Sequence, residues 1–120
     1  MPTVTITIDT KFYLFNQNNS GGSFHVNDRV CHYVIIEATS ASDANRKAMD
    51  IGIYFNGVQY DRDCSCCGDR WYSVNDRDAE EEPLIYGQKP EAFDYRPFSS
   101  EKGRVQCRIY YIDGVIKEYQ

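Results

Sequence analysis

From Asp61 to Gly103 the chain runs for about forty residues with three prolines and little hydrophobic periodicity, and a stretch that long is uncommon inside a compact domain unless it is functional, stapled by a ligand or disordered. The regular core must therefore come from what flanks it. With 120 residues in all, that leaves room for one domain, residues 1–120, and one modest core. There is no internal repeat and no linker. Hydrophobic residues make up 42% and charged residues 26%, which is globular usage and argues against disorder.

The flanks read as strands and one helix. Thr3-Val4-Thr5-Ile6-Thr7-Ile8 alternates with period two and is rich in β-branched residues, as a half-buried strand does. Phe12-Tyr13-Leu14-Phe15 continues or restarts a strand, and Val30 to Ala38 forms another whose apolar centre implies burial on both faces. Ser40 with Asp43 has capping-box spacing, with Asp the weaker partner. Ala41, Ala44, Ala48 and Ile51 then make one apolar stripe, and Gly52 supplies a left-handed stop. Asn56-Gly57 predicts a type I′ hairpin between Ile53-Tyr54-Phe55 and Val58-Gln59-Tyr60. Asp113-Gly114 predicts a second one, between Arg104–Ile112 and Val115–Tyr119, with Val105, Cys107, Ile109 and Tyr111 on one face. The expected architecture is α+β: a mainly antiparallel sheet of about five strands, one helix packed on it, and a long irregular loop that contains cysteines.

Charge and composition exclude some roles. Thirteen Lys and Arg against eighteen Asp and Glu give a formal charge of −5, and no cluster of cations exists to displace counterions from duplex nucleic acid. The excess acid lies between Asp61 and Asp94, where ten acids face four bases. This is a small total for a nucleic-acid mimic, and Asp76 to Glu82 reads most simply as a solvated face. The longest apolar run, Tyr33-Val34-Ile35-Ile36, is far short of a membrane span, and the amino end lacks the basic patch and apolar block of a signal peptide. The expected compartment is the cytoplasm, where five cysteines stay reduced or bind metal.

Asp63-Cys64-Ser65-Cys66-Cys67-Gly68-Asp69-Arg70-Trp71 is the least ordinary stretch. Cys64 and Cys67 have zinc-knuckle spacing, and Gly68 would let the backbone turn so that amides face thiolates. Cys64, Cys66 and Cys67 are the candidate metal ligands, with zinc the expected ion in a structural role. A second C-x-x-C is absent, so Cys31, Cys107, His25 or His32 would have to complete the site. Plain thiols, a disulfide, or a redox-active pair beside Arg70 are the alternatives. Alternation makes Cys107 a buried apolar thiol, while Cys31 and His32 open the apolar strand on opposite faces.

A second candidate surface pairs amides with rings. Phe15, Asn16, Asn18, Asn19 and Ser20 belong to a loop that ends in Gly21-Gly22, and Arg70, Trp71 and Tyr72 offer similar chemistry next to the cysteines. Such groups hydrogen-bond a small polar ligand while a ring stacks on it; a solvated turn is the plain alternative. An anionic nucleotide would further require arginines such as Arg29, Arg70 or Arg104 to converge. Walker A, G-x-G-x-x-G and G-x-S-x-G patterns are absent and there are two histidines, so no enzyme is expected.

The segments Phe15-Asn16-Gln17-Asn18-Asn19-Ser20-Gly21-Gly22, Tyr33 to Gly52, and Asp63 to Trp71 together resemble a group of small uncharacterised proteins of tailed bacteriophages, over roughly the first 72 residues. The resemblance transfers no functional residue and implies a setting, the cytoplasm of a bacterial host. Small phage proteins of this kind often bind a host protein or sequester an immune signal. The expected function is a non-enzymatic accessory protein that binds and sequesters a host factor, either a small nucleotide-like signal or a defence protein, with self-association open. A virion module with a zinc-stapled loop and a cysteine- or metal-dependent enzyme are the alternatives.

Overall fold

The computed structural model describes residues 9–18, 25–96 and 103–120. The strand expected at Thr3–Ile8 lies outside them, as do Asn19, Ser20, Gly21 and Gly22. Among the described residues one sheet has four strands: β1 (Lys11–Asn16), β2 (Tyr33–Ala38), β3 (Cys107–Tyr110) and β4 (Ile116–Tyr119), in the order β1-β2-β3-β4. The outer pairs are antiparallel, Lys11 opposite Ala38 and Cys107 opposite Tyr119. The central pair is parallel, Tyr33 opposite Cys107, so the sheet is mixed and has four strands here instead of about five. A parallel pair needs a long crossover, and here that crossover carries both the helix and the irregular segment. No helix among the described residues is long and apolar enough to cross a membrane.

Helix α1 spans Ala41–Asp50, with Ser40 as its N-cap accepting from the Asp43 N–H at 3.0 Å. Asp43 reaches back to the Thr39 N–H, one residue before the cap, so the box is displaced from its usual form. Ala41, Ala44 and Ala48 are buried, and their small side chains let the helix lie close against β2. Gly52 ends the turn at φ +103°.

Strand alternation divides the core in two. Tyr13, Phe15, Val34, Ile36 and Ala38 point to the helix side, where Ile53 and Trp71 join them. Tyr33, Ile35, Cys107 and Ile109 point the other way and are covered by Ile85, with Phe93 and Tyr95 packed alongside. The aperiodic segment is therefore the second layer, held by isolated apolar residues between turns. Ile85 itself is fully buried. Val105, expected on the Cys107 face, packs with the helix-side core because regular strand geometry begins two residues later.

The Asn56-Gly57 hairpin does not form. A type I′ turn needs positive φ at both central residues; Asn56 has it (57°) and Gly57 does not. Glycine is needed there for space, since a Cβ would lie 1.9 Å from Asp63 Oδ2. The Asp113-Gly114 hairpin forms in another geometry, with Tyr111 paired to Val115 and only Gly114 left-handed. An unforeseen tight turn occurs at Tyr86-Gly87, both left-handed (φ 49° and 82°), between the reciprocal bonds of Ile85 and Gln88.

Candidate functional site

The end of β1 and the cysteine loop, legible separately in the sequence, are stitched into one unit. Beyond β1, Asn18 donates its backbone N–H to Arg70 O at 2.8 Å and its side-chain amide to the carbonyls of Cys67 (2.7 Å) and Asp69 (3.3 Å). The buried Gln17 amide bonds the Cys31 carbonyl and accepts from the His25 N–H and from Arg70 Nη1 at 3.0 Å. Asp63 accepts the Tyr54 hydroxyl (2.6 Å) and the Arg70 N–H (2.8 Å), while Asp69 accepts the Val58 N–H. Burial alone would raise the Asp63 pKa; those two donors and the Arg70 charge outweigh it and hold the carboxyl below its ordinary value. The loop's base is thus fixed by these hydrogen bonds, and its tip is left outside.

At that tip Cys64 and Cys66 are exposed and joined by a disulfide, and the Cys67 sulfur lies 3.3 Å from that of Cys66. The Cys67 and Gly68 amides close a turn onto the Cys64 carbonyl, and the Cys66 N–H faces the Cys64 sulfur at 3.4 Å. Gly68, at φ +82°, makes the turn that the sequence required of it. Among the described residues no group of three or more side chains is arranged to hold a metal, and the disulfide occupies two of the three candidate zinc ligands. Zinc at Cys64, Cys66 and Cys67 is accordingly a matter for the reduced chain. Cys31 and Cys107 are buried thiols whose pKa burial pushes up to about 12. Burial also brings His32, stacked on Tyr33, down to about 4.

Tyr72 links the loop to a cleft. Its hydroxyl lies over Gly68, 3.6 Å from where a Cβ would sit, and its ring is 59% exposed. The cleft, about 380 Å³, opens between β1 and the irregular segment. Leu14, Val74 and Leu84 give it apolar surface, Asn16 an amide, Arg77 a guanidinium, and Tyr72 and Tyr86 two rings. Asp78 and Glu80 add carboxylates. Tyr86 is 63% exposed and holds left-handed backbone that a tyrosine seldom adopts, so the turn displays this ring at a conformational cost.

Of the expected ligand-binding residues, Asn16 and Tyr72 line this cleft. Phe15 and Trp71 do not: each is 1% exposed and part of the helix-side core, because an aromatic ring gains more from burial in a closed core than at a rim. Asn18 and Arg70 are engaged in stitching the loop to β1. Arg29, Arg70 and Arg104 are not among the lining residues of the cleft, so the convergence of those arginines expected for an anionic nucleotide is not met there, and Arg77 is the guanidinium that lines it. Arg77 and Tyr86 were missed. Arg77 looked like part of a solvated acidic run, and Tyr-Gly is not among the usual turn pairs; the Gly87 that follows a lone aromatic was the available signal.

Residues 10–120 match the profile of a family described as Domain of unknown function (DUF7296). No curated protein and no solved structure matches the chain.

Proposed function

Given that this chain belongs to the DUF7296 family, whose description carries no activity, we propose from the geometry that it is a binding protein that holds a small planar ligand in the cleft between β1 and the irregular segment. The observation that carries this is the pairing of two largely exposed tyrosines, Tyr72 and Tyr86, with the Asn16 amide and the Arg77 guanidinium around one cavity. Rings stack on a heteroaromatic face, the amide reads its polar edge, and the guanidinium takes one negative charge. One cation beside Asp78 and Glu80 suits a neutral or singly anionic ligand, such as a nucleoside or a cyclic nucleoside monophosphate whose phosphodiester carries one charge, and disfavours a polyphosphate. In the phage setting that the sequence resemblance implies, such a cleft would sequester a host nucleotide-like signal without altering it.

Calorimetric titration with adenosine, cyclic AMP and a cyclic dinucleotide tests the reading, followed by mass analysis of the ligand released on denaturation. The expected result is binding of at least one probe, recovered intact. Tyr86→Ala should then weaken it by about tenfold or more, as loss of one stacked base contact does. Recovery of a changed product would make the protein an enzyme. Lack of binding by all three probes at millimolar concentration, or affinity indifferent to Tyr86→Ala, would overturn the proposal.

A further inference from the structure

The cysteine tip has a chemistry that ligand binding does not use. Three sulfurs occupy four consecutive positions, the outer two flank a shared one, and the loop that carries them is clamped at its base by Asp63, Asp69 and Asn18. Cys66 is bonded to Cys64 and simultaneously within 3.3 Å of Cys67, on an exposed surface where water can supply and accept protons. We propose that this tip is a thiol–disulfide exchange site in which Cys66 is the common partner and Cys64 and Cys67 alternate as the second.

The step balances without any added reagent. Cys67 loses its proton to water, and the thiolate forms a sulfur–sulfur bond to Cys66 as the Cys64–Cys66 bond breaks. The electron pair leaves on Cys64, which takes a proton from water. One disulfide and one thiol are present before and after, so nothing is oxidised or reduced overall. The reactive species is the thiolate. The clamped base keeps the two acceptor positions close, and exposure lets an external small thiol or disulfide enter the same cycle.

Cleavage after Arg62 and Arg70 releases all three cysteines on a single tryptic octapeptide, residues 63–70, which makes the test direct. The native chain, equilibrated with glutathione disulfide for increasing times, is blocked with N-ethylmaleimide and digested without reduction, and the label and any glutathione adduct are placed by fragmentation. Expected is one modified cysteine per octapeptide, carrying label or glutathione, shared between Cys67 (bond 64–66) and Cys64 (bond 66–67). Cys67→Ser should lock the 64–66 bond and Cys64→Ser should carry the 66–67 bond, each with an unlabelled octapeptide. Cys31 and Cys107, buried and with raised pKa, stay unlabelled in every folded variant and so report on folding. Label or glutathione confined to Cys67 at every time would overturn the proposal. So would two labels in Cys64→Ser, or three thiols retained around one bound zinc in the protein as purified.

Discussion

Replacing Asp63 with alanine tests the clamp beneath the cysteine tip. The carboxylate is 6% exposed, accepts the Tyr54 hydroxyl and the Arg70 N–H, and faces Arg70 Nε at 3.9 Å. Alanine removes the acceptor from both donors and the counter-charge from a largely buried guanidinium. A hydrogen bond to a charged acceptor is worth about 1.5–3 kcal/mol. Two that share one group do not add in full, so the expected loss is about 3–4 kcal/mol. For 120 residues with an unfolding entropy of about 2.1 cal/mol/K each, that lowers Tm by about 12–16 °C. Urea denaturation followed by tryptophan fluorescence is the suitable assay, because Trp71 is the sole tryptophan and is buried in the helix-side core beside this loop. Asp63→Asn keeps one carbonyl acceptor and should lose about half as much. A loss below about 1 kcal/mol for the alanine variant, the range of an exposed pair, would refute the reasoning and leave the loop held by its other contacts.

Three further outcomes are expected. Gly57→Ala places a Cβ 1.9 Å from Asp63 Oδ2 and should destabilise by about 1–3 kcal/mol; in the Asp63→Ala background the same change should cost less, a coupling that a double-mutant cycle in urea measures. Ile85→Ala should cost about 2–5 kcal/mol and speed chymotryptic cleavage at Tyr86, Phe93 and Tyr95, because Ile85 anchors the irregular segment to the Ile109 face. His32, with its pKa lowered to about 4 by burial, takes up its proton in the unfolded chain first, near the ordinary value of 6.5. Stability should therefore fall as pH drops from 6.5 toward 4, with no further loss from this group below that, and urea midpoints across this window should be flatter in His32→Gln.

Local chemistry made some of this fold legible. Ser40, the alanine stripe and Gly52 delimited α1 because a cap, a packing face and a left-handed stop act within one turn of their own residues. The unbroken apolar centre of β2 announced two covered faces, and both are covered. The parallel pairing of β2 with β3 was not legible, since strand partners seventy-odd positions apart leave no mark on either strand's own pattern. Asn56-Gly57 misled for a more local reason: the chain folds back within six residues, so that the Arg62 and Asp63 N–H groups bond the Gly57 carbonyl and Asp63 packs against Gly57.

The candidate site divides along the same line. By itself the sequence determined that three cysteines would share one tight turn at Gly68 and that polar amides would follow β1, since neighbours in the chain are neighbours in space. Only the tertiary structure decided that those amides serve the cysteine loop, that Phe15 and Trp71 belong to the core, and that Tyr72, Arg77, Tyr86 and Asn16 meet around one cleft. Burial and hydrogen-bond satisfaction are properties of the assembled packing, because a side chain's partner comes from whichever distant segment fills the space beside it.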